Sequence, residues 1–434
     1  MRTGLLYLIL LVLGLRAAAM GQFENMSDKG LTEMITEFES IGTPKPEAQP
    51  ENIGDKEGEQ AQPESGKEPV QPEGKELAIL WLNQEYETVR YFSEGLAAVQ
   101  NQAGKWGFIS LDGREVIACQ YNHVWDFKEG LAGVGQDGKC GYINRQGEQV
   151  IPLQYDYIGA SEYLDDISFY EGIAMVGTWN QGYFYIDSTG QRINQEQYLW
   201  AGNFSGGLAP VMTNDQRVIY IDKQGKTVLD NDYFAGRPFT EGLAAVADQQ
   251  GNRSYIDRTG KVVLPCPFQY ELQDENEIVL FMPFSEGLAM IVCDDTIGFM
   301  DKKGKLAIPL RQYSEALPFS EGLAAVAMLW SDGVNGEQRC SWGYINRRGE
   351  EVIPMQYETY VSEMTNIGLL EYNSFHDGLA VVIKDEEMAY IDKTGKEIVP
   401  FGQFSELTRF SEGYAAVRDG GRWGILKNPL KKYQ

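Results

Sequence analysis

A phrase of eight residues, FSEGLAAV, starts at Phe92 and returns unchanged at Phe319. Variants start at Phe127, Phe169, Phe204, Phe239, Phe284, Phe375 and Phe410. The glycines of the phrase are Gly95, Gly130, Gly172, Gly207, Gly242, Gly287, Gly322, Gly378 and Gly413, separated by 35, 42, 35, 35, 45, 35, 56 and 35 residues. A base period of 35 with insertions of 7, 10 and 21 marks a tandem array of nine copies. A chain so organised grows by stacking, because each unit needs a neighbour to cover its apolar face.

Every copy has the same internal order. Glu-Gly forms a tight turn, and Leu-Ala-x-Val follows as a short apolar strand whose alanines permit close approach of a neighbour. An aromatic-rich return strand comes next, as in WGFIS from Trp106 or WGYIN from Trp342. It ends in Asp/Asn-x-x-Gly, a type I turn closed by a left-handed glycine. A third strand follows, as in EQVIPLQY, with Pro marking its end. All segments are too short for independent helices.

The pattern F-x-E-G-L-A…W-G-[FY]-I-[DN]-x-x-G resembles the WG-repeat (KWG-repeat) family of bacterial proteins over about residues 79 to 426. Trp-Gly itself survives as Trp106-Gly107, Trp342-Gly343 and Trp423-Gly424, while Cys140-Gly141 and Ile297-Gly298 keep the glycine alone. The resemblance implies an interaction scaffold.

The fold expected is all-β: about nine three-stranded antiparallel repeats of about 35 residues in an open, twisted, solenoid-like stack. The alternative is a closed β-propeller. The array opens mid-repeat, since LAILWLNQEYETV resembles a tail strand, and ends mid-repeat after Trp423. A propeller that borrows an N-terminal strand has such ends. Against it stand the lean repeat, the copy number and the unequal insertions.

Residues 1–19 read as a signal peptide: basic Arg2, the apolar GLLYLILLVLGL, then Ala17 and Ala19 at the exit. A short segment, 20–41, precedes an acidic Pro/Glu/Gln-rich linker over 42–78, too poor in apolar residues to order itself. The array occupies 79–434. The expected protein is exported, with no membrane span in the mature chain. A net charge of −26 repels nucleic acid, which requires clustered Lys and Arg.

Chemistry is sparse. His123 and His376 are the two histidines, and His376 sits where other copies have Ser, Lys, Tyr or Thr, so it reads as an exposed turn residue. No nucleophile elbow, phosphate loop or metal-ligand spacing occurs. No catalytic residue, cofactor or metal is assigned. Glu94, Glu129, Glu171, Glu241, Glu286, Glu321, Asp377 and Glu412 form a row in which each is expected to cap its own turn. Cys119, Cys140, Cys266, Cys293 and Cys340 read as small core residues, with a Cys119–Cys140 bridge left open. Aromatics outside the repeat pattern, Tyr163, Trp330, Tyr360 and Tyr372, are the candidate partner-binding residues; the phrase glycines with Trp106, Trp342 and Trp423 are structural.

The function expected is therefore non-catalytic binding or scaffolding of a protein partner. Cell-wall or extracellular glycan binding is the alternative, with an acidic glycan-active enzyme and a structural spacer behind it.

Overall fold

The computed structural model describes residues 77–156, 159–160, 163–164, 166–178, 182–265, 279–293, 296–331, 338–360 and 372–431. The signal-peptide segment, residues 20–41, most of the linker and Cys266 lie outside them. All regular structure among the described residues is strand, arranged as small antiparallel sheets.

The first complete unit shows how the sequence builds a sheet. After the isolated strand β1 (Ile79–Trp81) come β2 (Thr88–Ser93), β3 (Leu96–Gln100), β4 (Trp106–Ser110) and β5 (Glu115–Tyr121), hydrogen-bonded in chain order. The unit thus has four strands rather than three. The additional one, β2, runs into the phrase itself and pairs Phe92 with Ala97. Its counterparts shrink to two residues at His123–Val124, Trp200–Ala201, Glu315–Ala316 and Glu406–Leu407, too short to carry an alternating pattern.

Between β2 and β3, Glu94 and Gly95 have φ of +51° and +76°. Two consecutive left-handed residues make the type I′ turn that suits a two-residue hairpin. All nine phrase glycines have φ between +76° and +90°. The glycine of the Trp-Gly pair has another reason. A Cβ on Gly107 would lie 2.4 Å from the Ile117 carbonyl oxygen, and one on Gly141 would lie 2.5 Å from that of Ile151. Here β4 and β5 change register, and the tail strand presses its backbone onto the glycine.

The phrase strand is buried on both faces: Leu96, Ala97, Ala98 and Val99 are all buried. Leu96 and Ala98 face the second repeat through Phe127 and Val134, while Ala97 and Val99 face Trp423 and Ile425 of the last. Alternation by two therefore sends successive side chains into two different seams. The seams carry ring pairs, edge-on for Phe108 with Phe127 at 4.8 Å and Tyr142 with Phe169 at 4.9 Å, and tilted for Tyr255 with Phe284. Where the return strand carries Tyr142, Tyr185, Tyr220, Tyr255 or Tyr390, the hydroxyl donates to a carbonyl two residues ahead of the next phrase, as Tyr142 does to Ile167 at 2.6 Å and Tyr255 to Met282 at 2.7 Å.

The two ends of the array meet. β1 lies antiparallel on Arg422–Lys427, with Leu80 opposite Ile425, and completes the sheet formed by Glu406–Leu407, Tyr414–Asp419 and Arg422–Lys427. Glu412 in the last repeat accepts hydrogen bonds from the N–H groups of Glu94 and Gly95 in the first, both at 2.8 Å. The missing third strand after Trp423 is supplied by the residues whose tail-strand character the sequence already displays.

Candidate functional site

The recurring geometry of the phrase turns defines one face of the sheets. Each acidic side chain of the row caps the turn of the following repeat, not its own as the sequence suggested. Glu129 accepts from Glu171 N and Gly172 N at 2.7 and 2.8 Å, and Glu171 from Gly206 N and Gly207 N at 2.6 and 2.8 Å. Glu94, Glu241, Glu286, Glu321 and Asp377 reach Gly130, Gly287, Gly322, Gly378 and Gly413 in the same way. These residues hold φ between +50° and +57°, a conformation costing about 1–2 kcal/mol outside glycine. Hydrogen bonds to a charged acceptor, about 1.5–3 kcal/mol each, offset that strain.

Cations complete several of these contacts. Lys223 lies 3.3 Å from Glu171, and Lys302 and Lys393 lie 2.9 Å from Glu241 and Glu321. All three occupy the second position of an Asp-x-x-Gly turn. Burial would raise the Glu171 carboxyl, but the N–H groups of Gly207 and Gly206 together with Lys223 hold it below its ordinary value. Glu241 is lowered likewise: burial raises it, and Lys302 and Gly287 outweigh that. Carboxylates engaged in this way hold the turns together.

A second feature stands out from the repeat. In the sheet that begins at Glu315–Ala316, the hairpin strands Leu323–Ser331 and Gln338–Asn346 are nine residues long, against five or six for β3 and β4 or their counterparts Leu131–Gln136 and Lys139–Asn144. The extension presents Met328, Leu329 and Trp330 to solvent at 45, 42 and 37% exposure. Trp330 Nε1 donates to the Ser341 hydroxyl at 2.8 Å, and the Arg339 guanidinium lies 5.9 Å from its ring centre. At the base, Glu315 is half-buried, and burial pushes its carboxyl up to about 7.

Of the two candidate aromatics whose side chains are described, Trp330 and Tyr372, Trp330 is the exposed one. Tyr372 packs against the cluster formed by Leu379, Phe404 and Phe410, so it belongs to a seam rather than an open surface. Tyr163 lies in a two-residue strand paired with Gly159–Ala160, and Tyr360 pairs with Arg339 at the end of Glu351–Tyr360; their side chains are outside the described residues. In the sequence Met328 and Leu329 continue the phrase strand and read as core. Their exposure follows from the hairpin running on past the lead strand Glu315–Ala316, whose pairing ends opposite Ala327.

Trp342 and Trp423 are buried, and Trp106 is half-buried with the Arg90 guanidinium 4.3 Å from its ring centre. Cys119, Cys140, Cys293 and Cys340 are free thiols, so no Cys119–Cys140 bridge exists; Cys140 fills the place of a tryptophan in the core. His376 is half-buried rather than exposed, and burial and then Arg409 lower its pKa. Among the described residues no group of His, Cys, Asp and Glu is arranged to hold a metal, and no helix is long and apolar enough to cross a membrane.

The family model for the WG containing repeat matches residues 85–106, 106–140, 141–163, 220–248, 254–296, 297–328, 342–363 and 388–423. Among curated proteins none matches the chain. A solved structure described as a eukaryotic initiation factor has a TM-score of 0.50 at 10% identity, covering 83% of this chain and 94% of that one. BamB from Moraxella catarrhalis has a TM-score of 0.32 at 13% identity, covering 81% and 99%, and the WD40 domain of SCAP from fission yeast 0.37 at 9%, covering 81% and 98%. At such identities the likeness concerns the fold alone. With eight matches spread from residue 85 to 423, the chain belongs to the family of WG-repeat proteins.

Proposed function

We propose that the chain is an exported, non-catalytic scaffold that binds a protein partner through the Leu323–Ser331/Gln338–Asn346 hairpin. The observation that carries this reading is the run Met328-Leu329-Trp330, three consecutive large apolar side chains exposed on one projecting hairpin. Interface anchors are enriched in Trp, and a partner that covers such a run removes it from water. The rest of the surface is strongly acidic, which keeps the chain soluble while the hairpin offers a local apolar contact.

The platform behind the hairpin is read as a closed propeller of nine repeats. Support comes from β1 on the last sheet and from Glu412 on the first turn. Export rests on the segment from Met1 to Ala19. Non-catalytic action is supported by the carboxylate row, whose oxygens are already engaged by backbone N–H groups.

The test compares the full chain with a Met328→Ser/Leu329→Ser/Trp330→Ala variant as bait in extracts of the cell envelope and surroundings. The reading expects a saturable protein partner whose affinity falls at least tenfold for the variant, about 1.4 kcal/mol or more. A partner retained unchanged by a folded variant contradicts it. Saturable quenching of Trp fluorescence by a polysaccharide, with no protein captured, replaces it with glycan binding.

A further inference from the structure

The carboxylate row has one interruption. In the repeat of Gly207 the acidic position is Gly206, so nothing extends from it toward the turn of the next repeat. That turn, Glu241-Gly242, keeps the geometry of its sisters, with φ of +50° and +88°. Among the described residues, no acceptor engages the N–H of Glu241 or Gly242, and Gly242 is exposed.

The cation of the arrangement is also in place. Arg258 holds the second position of Asp257-Arg258-Thr259-Gly260, as Lys223 and Lys302 hold theirs in Asp222–Gly225 and Asp301–Gly304. Its guanidinium lies against the Gly206–Gly207 turn, 3.0 Å from where a Cβ of Gly207 would stand. No carboxylate pairs with it among the described residues. Two neighbouring seams show what such a set of groups holds. Glu171 rests on the N–H groups of Gly206 and Gly207 beside Lys223, and Glu241 on Gly287 beside Lys302.

We propose that Glu241 N, Gly242 N and Arg258 form a binding site for a carboxylate supplied from outside the chain. The ligand is the side-chain or terminal carboxylate of a polypeptide, or a small free carboxylate; the chemistry is shared. Two backbone N–H groups converging on one anion, with an arginine able to grip it in bidentate fashion, constitute a site of fixed shape. It is independent of the hairpin proposed above.

The chain itself offers the control. At Gly206 φ is +64°, close to the values of the glutamates in the row, and an added Cβ would meet nothing nearer than 3.7 Å. Gly206→Glu therefore restores the internal carboxylate and occupies the site without disturbing the turn. Full-length protein labelled with ¹⁵N-glycine is titrated with acetate, and separately with a short peptide carrying a single glutamate, while the Gly242 amide is followed by NMR. The proposal expects a saturable shift of Gly242, at least tenfold weaker in Arg258→Ala and absent in Gly206→Glu. A peptide binding at least tenfold tighter than acetate identifies a polypeptide as the source, and equal affinities identify a free carboxylate. Failure of both probes to saturate, equal shifts at all the phrase glycines, or undiminished binding in Gly206→Glu overturns it.

Discussion

Two kinds of glycine recur in each unit and respond to substitution differently. Gly130 has φ of +81° with nothing near its missing Cβ, whereas Gly107 has ordinary φ and the Ile117 oxygen 2.4 Å from that position. Gly130→Ala is expected to cost about 1–2 kcal/mol of stability through strain alone. Gly107→Ala forces β4 and β5 apart and should cost more, about 3 kcal/mol or above. Urea denaturation of the two variants checks the order. Ionisation acts at the same scale. Glu171 and Glu241 have lowered carboxyl pKa values, so their contribution is present above the ordinary carboxylate pKa of about 4.5 and is lost as pH falls through the folded values. Thermal unfolding is therefore expected at lower temperature at pH 3.5 than at pH 6, with the loss smaller in Glu171→Gln. Glu315 behaves in the opposite sense. Its folded pKa of about 7 lies above the unfolded value, so its contribution is full below about pH 4.5 and lost as pH rises through 7. Glu315→Gln should raise the unfolding temperature at pH 8 and leave it nearly unchanged at pH 4.

At the scale of elements, the hairpin turns and return strands were legible from the sequence because glycine and Asp/Asn-x-x-Gly mark positions that few other residues tolerate. The lead strand β2 was not, since most of its counterparts span two residues and leave no period. The row of glutamates was legible as a row; its direction was not. Whether Glu94 caps its own turn or that of Gly130 depends on how repeats are placed against each other, which no local pattern encodes. The long hairpin is half legible: Trp330 breaks the repeat, while Met328 and Leu329 continue an apolar strand and are exposed because the hairpin runs past Glu315–Ala316. Tail strands show their edge character in exposed Val116, Val150, Val228 and Val352, and Pro152 and Pro354 beside two of them limit further pairing. β1 takes the same edge place in the last sheet, with Leu80 exposed, and covers Arg422–Lys427. Deleting residues 77–83 removes that cover, uncovering Ile425 and Leu426 along an unpaired edge. The expected outcome is a fall of several degrees in unfolding temperature together with concentration-dependent association, measured by calorimetry and analytical ultracentrifugation.

For the whole molecule, the joining of first and last repeats decides what the surface can do. Phrase turns linked head to tail, from Glu94 onward to Glu412 and back to Gly95, leave one seam without an internal carboxylate. In an open stack of nine repeats the two ends would be separated by eight intervals of about 10 Å each. The most direct test is a pulsed electron-spin distance between nitroxides attached at Leu80 and Lys427 by a chemistry that spares thiols. The account predicts a single narrow distance within about 20 Å, as for labels on adjacent strands. A population centred near about 80 Å, as for the ends of a straight stack, would contradict it.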